Sequence, residues 1–137
     1  MNYEQIQVMP NAGVGAFVSG LDLADFDDAT LAELRRAFAQ YSVLFFRDQR
    51  LSEAQHIALA ERWGEINVNR FFAHVEGYPQ IAEVLKEPDQ TSNIGGGWHT
   101  DHSYDQIPAL GSMLYARETP PQGGDTLFAG TCAAYEA

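Results

Sequence analysis

Basic residues are scarce in this chain: eight Lys and Arg stand against 19 Asp and Glu, for a formal net charge of −11. A nucleic-acid site needs a basic surface that neutralises phosphates, and an anionic membrane surface also attracts basic segments. We therefore expect neither nucleic acid nor a membrane as a partner.

Cysteine and long apolar runs are also lacking. The one cysteine, Cys132, excludes an internal disulfide and fits a reducing compartment. It lies among small apolar residues without a basic neighbour, which predicts a buried and unreactive thiol. The densest apolar run, residues 43–46, is far too short to span a bilayer, and the first residues do not have the pattern of a secretory signal. We expect a cytoplasmic protein.

The 137 residues suffice for one domain with a core, and their first half predicts two helices. Residues 28–41 place Leu31, Leu34, Phe38 and Tyr41 on one face, which is typical of an amphipathic helix. Ser52 and the glutamine three positions later form a capping box ahead of a helix over residues 53–63. Strands are predicted over residues 14–18 and 42–48, the second buried on both faces because its apolar run is continuous.

The second half alternates strand candidates with turns. Strands are predicted over residues 81–86, 98–104, 108–118 and 125–130, and Thr131 is a candidate N-cap for a final helix. Helices outside a set of short strands indicate a mainly β protein with flanking helices, arranged as a sandwich or a barrel.

Residues 95–104, GGGWHTDHSY, hold the most informative pattern. In a strand, alternate side chains share a face, so His99 and Asp101 would point the same way and His102 the other. One imidazole and one carboxylate are two members of the two-histidine, one-carboxylate triad that leaves positions open on Fe(II). On the tripeptide alone, a surface histidine beside an aspartate is the favoured interpretation.

The context of the pair resembles the taurine dioxygenase and 2,4-dichlorophenoxyacetate dioxygenase family of Fe(II)- and 2-oxoglutarate-dependent oxygenases. WHTD is followed by PPQGGDT, and the resemblance extends back through HVEG, VLFFRDQRLSEAQHIALAERWGEI and VGAFVSGLDL. It implies that His99 and Asp101 are the first two iron ligands and that Thr126 binds the carboxylate of 2-oxoglutarate. From the sequence pattern alone, Thr126 could also be an ordinary strand threonine.

The same resemblance implies a double-stranded β-helix, or jelly roll, that is incomplete in this chain. The family's second histidine ligand, and the arginine that binds the far carboxylate of 2-oxoglutarate, come far beyond the His-x-Asp pair and are absent from residues 1–137. We therefore expect residues 1–137 to be the N-terminal portion of a single catalytic domain, aggregation-prone and inactive by itself.

Substrate positions differ from those of the taurine enzymes. Asn69 and Phe72 stand where those enzymes carry a histidine and a tyrosine, and Gly95 stands where they carry a polar residue. His102 borders the metal pair and is a further substrate candidate. Taurine itself is therefore doubtful. The glycine run could widen the mouth beside Trp98, or it could be a plain loop.

Two other histidines are weaker candidates. His56 shares a helical face with Leu59 and Trp63, which favours a core histidine, whereas His74 could line a pocket or cap a turn.

The resemblance implies a dioxygenase that takes Fe(II) as its metal, 2-oxoglutarate as co-substrate and O2. It would hydroxylate a small organic acid, a sulfonate or a carboxylate, and release succinate and CO2. A homo-oligomer is compatible with the sequence. Two alternatives remain open: a non-catalytic remnant with an incomplete metal site, and a hydrolase that uses the same side chains for zinc.

Overall fold

The computed structural model describes residues 2–92 and 95–137. The chain divides into two units, one formed by Met1–Leu51 with Ala116–Ala137 and the other by Ser52–Tyr115. The helices and strands are, in chain order, β1 (Gln7–Pro10), β2 (Ala16–Ser19), α1 (Asp28–Tyr41), β3 (Leu44–Phe46), α2 (Glu53–Glu61), β4 (His74–Val75), β5 (Tyr78–Ala82) and α3 (Thr131–Glu136).

The first unit contains a three-stranded sheet with the strand order β1-β2-β3. β1 runs antiparallel to β2, with Val8 opposite Val18, and β2 runs parallel to β3, with Phe17 opposite Phe45. The two predicted strands are confirmed in position, although β2 begins two residues later than expected and β3 covers only three of the predicted residues 42–48. β3 is only half-buried, so the expectation that it is buried on both faces was wrong. The reason is its position at the edge of this sheet, where among the described strands it pairs with β2 alone.

α1 has the predicted bounds because its ends are well marked. The Asp27 carboxylate accepts a hydrogen bond from the backbone N–H of Thr30 at 2.8 Å, and Ser42 ends the helix with φ = 65°. The helix contacts β3, and Leu34 is fully buried. The buried face is rotated from the predicted one, since Leu31 and Phe38 are only half-buried.

Glu33 explains that rotation. Its carboxylate accepts hydrogen bonds from the backbone N–H groups of Glu4, Gln5 and Ile6 at 2.8, 2.9 and 3.3 Å. These bonds fasten the segment before β1 onto α1, and they hold the pKa of Glu33 below its ordinary value, the bond from Glu4 being the largest cause. An apolar periodicity cannot predict a buried carboxylate that is satisfied by backbone groups.

The core of the first unit lies between α1 and the sheet. Its buried apolar residues come from the N-terminal segment, β2 and α1, namely Ile6, Ala16, Val18, Leu34 and Ala37. Burying such side chains stabilises a fold by about 25 cal/mol for each Å² removed from water.

The second unit holds α2 and a short hairpin. The capping box is confirmed: Gln55 N–H donates to the Ser52 hydroxyl, and the Gln55 side chain accepts from the Ser52 N–H at 2.9 Å. α2 ends two residues before the predicted end, buries Leu59 and contacts β5. Gly77, with φ = 79°, turns β4 into β5.

Several predicted strands do not form in the described residues. The strand expected over residues 81–86 is displaced to Tyr78–Ala82, and residues 98–104, 108–118 and 125–130 are turns and loops. A strand needs a neighbouring strand for its N–H and C=O groups, and no described segment pairs with these residues. Apolar side chains of these segments are exposed, among them Leu110, Leu114 and Leu127.

α3 confirms the predicted final helix but not its details. Its N-cap is Gly130 instead of Thr131, and no side chain caps it. Cys132 is exposed, so the prediction of a buried thiol was wrong. A helix of six residues that buries none of its side chains offers the thiol no core. Among the described residues, no helix has the length and the apolar character needed to cross a membrane.

Candidate metal centre

The structure brings His99 and Asp101 together in the second unit. Nε2 of His99 lies 3.3 Å from Oδ1 of Asp101, and both side chains are more than half exposed. The predicted convergence of the two side chains is therefore present, but a strand does not produce it. Residues 101–105 form a bend and a turn, in which His102 has φ = 52° and its carbonyl accepts from the N–H of Asp105.

A backbone carbonyl orients the imidazole of His99. Nδ1 of His99 lies 2.8 Å from the carbonyl oxygen of Gly97. A carbonyl oxygen only accepts, so Nδ1 carries the proton of this bond. In the neutral ring Nε2 then keeps its lone pair on the side of Asp101, which is the arrangement that a metal-binding histidine needs.

Gly95 explains part of the glycine run. Its φ is 68°, a conformation that L side chains rarely adopt, and a Cβ at this position would lie 3.1 Å from Cε1 of His99. Glycine thus lets the backbone approach the ring closely. A Cβ at Gly97 would meet nothing within 4 Å, so no such contact constrains that position.

The carboxylate of Asp101 is also oriented. The hydroxyl of Ser112 donates a hydrogen bond to Oδ2 at 3.0 Å, which leaves Oδ1 on the side of His99. A second bond in the same turn joins the hydroxyls of Thr100 and Ser103 at 2.6 Å.

This donor set fits a divalent first-row metal. Two bonds of about 2.1 Å at a right angle place their donor atoms about 3 Å apart, close to the 3.3 Å between Nε2 and Oδ1. Imidazole and carboxylate are donors that suit Fe(II) and zinc alike. Within residues 2–92 and 95–137, no group of three or more His, Cys, Asp or Glu side chains completes such a site. His99 and Asp101 thus supply two of the donor groups that such a site would need.

His102 belongs to a separate polar cluster. Its Nδ1 lies 3.0 Å from Oδ2 of Asp105, whose Oδ1 lies 3.4 Å from Nη2 of Arg70. The ring of His102 is also 5.8 Å from that of Tyr104. Sequence reasoning missed Arg70 and Asp105. The three-residue spacing from His102 to Asp105 across a turn was a usable sign, but the ion pair to Arg70 spans 35 positions.

Asn69 organises the loop after α2. Its Oδ1 accepts hydrogen bonds from the backbone N–H groups of Phe71 at 2.8 Å and Phe72 at 3.3 Å. Its own carbonyl accepts from Nε2 of His74 at 2.7 Å. His74 is exposed and holds this turn, which decides between the two roles that the sequence left open.

His56, which the helical pattern predicted to be a core histidine, is only half-buried. Desolvation lowers its pKa, and a hydrogen bond with the backbone of Met113 opposes that shift. Its ring also lies 6.0 Å from that of Tyr115. His56 thereby anchors residues 113–115 to α2.

Thr126 lies in the first unit, on an exposed loop. The glycine pair before it forms a turn, with φ of 77° at Gly123 and 73° at Gly124. The role of Thr126 at a 2-oxoglutarate carboxylate stays a prediction.

Comparison with known proteins identifies the family. Residues 5–137 match the model of the taurine catabolism dioxygenase TauD, TfdA family. The chain belongs to this family. It is 35% identical over 130 residues to an (S)-phenoxypropionate/alpha-ketoglutarate-dioxygenase of Sphingobium herbicidovorans, a match that covers 93% of this chain and 45% of that relative. It is 31% identical over 134 residues to an alpha-ketoglutarate-dependent sulfonate dioxygenase of Saccharomyces cerevisiae, covering 90% of this chain and 32% of that relative.

The chain is also similar to a solved structure. The crystal structure of a putative alpha-ketoglutarate-dependent taurine dioxygenase from Burkholderia xenovorans matches with a TM-score of 0.51 and 37% identity, over 61% of this chain and 32% of that one. The chain thus spans less than half the length of these relatives.

Proposed function

We propose that the protein containing this chain is an Fe(II)- and 2-oxoglutarate-dependent dioxygenase that hydroxylates a small organic acid and releases succinate and CO2. The observation that carries the proposal is the His99–Asp101 pair, with Nε2 and Oδ1 3.3 Å apart, in a chain of the TauD/TfdA family. The bond that His99 donates to the Gly97 carbonyl and the bond that Asp101 accepts from Ser112 leave Nε2 and Oδ1 available.

Each proposed site residue has a separate role. His99 and Asp101 hold Fe(II), a further histidine from the remaining sequence of the whole protein completes the triad, and Thr126 donates to a carboxylate of 2-oxoglutarate. Bound together, iron and 2-oxoglutarate supply the oxidation of a substrate C–H group by O2. The protein places the two co-substrates and excludes competing reactions.

Residues 1–137 are, in this proposal, the N-terminal portion of a single catalytic domain with a double-stranded β-helix fold. Family membership and the likeness to the Burkholderia xenovorans structure support it. The exposed apolar side chains at Ile107, Leu110, Leu114 and Leu127 are those that a second sheet would cover.

The substrate class follows from the relatives and from the loop after α2. The relatives are named for phenoxypropionate and sulfonates, so we propose a small sulfonate or carboxylate here. Asn69, Phe72, Gly95 and His102 are the proposed substrate positions. Asn69 and Phe72 stand in place of the histidine and the tyrosine of the taurine enzymes, which supports the proposal that taurine is a poor substrate.

The test is succinate production by the complete protein with 2-oxoglutarate, O2 and either Fe(II) or Zn(II). We expect succinate to form with Fe(II) and not with Zn(II). Asp101→Ala should lower the rate of succinate production by more than about a hundredfold, while its circular dichroism spectrum should match that of the wild type. Asp89→Ala, an exposed aspartate outside the site, is the matched control and should keep wild-type activity.

Three results would contradict the proposal. Near-normal succinate from Asp101→Ala with iron would remove Asp101 from the site, and hydrolytic activity restored by zinc but not by iron would favour the hydrolase alternative. Efficient 2-oxoglutarate decarboxylation driven by taurine would show that the substrate positions are misassigned.

A further inference from the structure

Ser112 is hydrogen-bonded to Asp101, one of the two proposed metal ligands. Its hydroxyl lies 3.0 Å from Oδ2 of Asp101, eleven positions earlier in the chain. An ionised carboxylate only accepts hydrogen bonds, so the hydroxyl is the donor. The bond therefore distinguishes the two carboxylate oxygens, because Oδ2 is engaged while Oδ1 lies 3.3 Å from Nε2 of His99.

The position of Ser112 is itself fixed from the neighbouring residues. Met113 is hydrogen-bonded through its backbone to His56 of α2, and the ring of Tyr115 lies 6.0 Å from the His56 ring. A continuous series of contacts thus runs from α2 through residues 112–115 to Asp101. The side chain of Asp101 is 59% exposed, so its rotamer is set mainly by polar contacts, those with His99 and Ser112.

We propose that Ser112 is a positioning residue for the metal centre: it holds Asp101 so that Oδ1 alone faces the metal and the carboxylate binds through one oxygen. A carboxylate that binds through both oxygens uses two coordination positions, whereas one that binds through a single oxygen leaves a position open for a co-substrate. Groups that hydrogen-bond to metal ligands commonly change metal affinity by tenfold to a hundredfold, which sets the expected size of the effect at about that range.

The inference rests on the proposed function only in requiring a metal at His99 and Asp101. It makes no use of 2-oxoglutarate or of the substrate. A metal-binding readout can therefore test it without turnover.

The experiment is a titration of the complete protein with Co(II) alone, at fixed neutral pH, followed by visible absorption. Ser112→Val removes the hydroxyl, and Ser112→Thr, which has nearly the same shape as the valine variant, keeps it. We expect Ser112→Val to weaken Co(II) binding by about tenfold to a hundredfold and to alter the absorption spectrum of the bound ion, since the carboxylate is then free to bind through both oxygens. Ser112→Thr should stay close to wild type in both readouts.

Ser103→Ala is the matched control, because it also removes a serine hydroxyl bond, to Thr100, but one that does not reach a proposed ligand. Its Co(II) affinity should be close to wild type, and the melting temperatures of all folded variants should agree. If Ser112→Val does not fold, Ser112→Ala replaces it with the same expectation.

The outcomes separate the two proposals. Wild-type affinity and spectrum in Ser112→Val would overturn the role of Ser112 and leave the metal centre intact. Equal weakening in Ser112→Val and Ser103→Ala would also overturn it, because the effect would then come from loosening the turn. Failure of the wild-type protein to bind Co(II) at all would overturn the proposed metal centre and, with it, this inference.

Discussion

Two regions of the molecule are held in place by different forces. One is the sheet and helix α1 of the first unit, and the other is residues 95–115 of the second unit, which contain the proposed metal ligands. In the first unit, apolar side chains such as Val18 and Leu34 are buried between α1 and the sheet. In the second, individual hydrogen bonds from Gly97 and Ser112 hold exposed side chains in position. Substitutions in the core of the first unit should therefore change the free energy of unfolding, whereas substitutions in residues 95–115 should change metal binding.

The largest stability effect expected from this comparison is that of Leu34→Ala. Leu34 is fully buried in α1, so its truncation should lower the free energy of unfolding by about 2–5 kcal/mol. Urea denaturation of the complete protein measures the change, and Leu31→Ala, at a half-buried position of the same helix, should cost less. Metal affinity per folded molecule should not change. If Leu34→Ala lowered the free energy of unfolding by less than Leu31→Ala does, the assignment of Leu34 to the core would be contradicted.

Glu33→Gln should have a smaller effect that depends on pH. The pKa of Glu33 is lowered in the folded protein, so its carboxylate contributes stability above the unfolded pKa of about 4.3, and that contribution is lost as the pH falls through the lowered native value. The difference in melting temperature between wild type and Glu33→Gln should therefore be largest near neutral pH and shrink in acid.

The control for this pH dependence is Glu65→Gln, at an exposed loop position. Its melting temperature should follow that of the wild type across the pH range. A Glu33→Gln difference that is constant with pH would show that the three backbone bonds do not depend on the carboxylate charge.

The smallest effect should come from Arg70. Its ion pair with Asp105 spans 3.4 Å and the arginine side chain is 67% exposed, so solvent screens the interaction. A double-mutant cycle with Arg70→Ala and Asp105→Asn should give a coupling energy below about 1 kcal/mol in unfolding experiments. A coupling well above that value would mean that polar contacts also stabilise the second unit, and the contrast between the two regions would fail.

The same contrast explains which features the sequence could predict. α1 and the start of α2 were predicted correctly because Asp27 and the Ser52–Gln55 capping box act within four residues of the helix start. The strands expected after residue 95 did not form in the described residues, because a strand depends on a distant partner that local alternation does not specify.

The candidate site, like the fold, was predicted in part. The convergence of His99 and Asp101 was predicted, although a turn and not a strand brings it about. The orienting bond from Ser112 could not be predicted, since nothing in the spacing of eleven residues marks it. The exposure of Cys132 was also missed, because apolar neighbours in sequence do not imply burial in a short helix.

The most direct test of the central claim is the stoichiometry of Fe(II) bound by the complete protein under anaerobic conditions. Equilibrium dialysis should give one Fe(II) per chain for the wild type and for Asp89→Ala, and a large loss of affinity for both His99→Ala and Asp101→Ala. Wild-type affinity in either of the last two variants would contradict the claim that this histidine and this aspartate hold the metal.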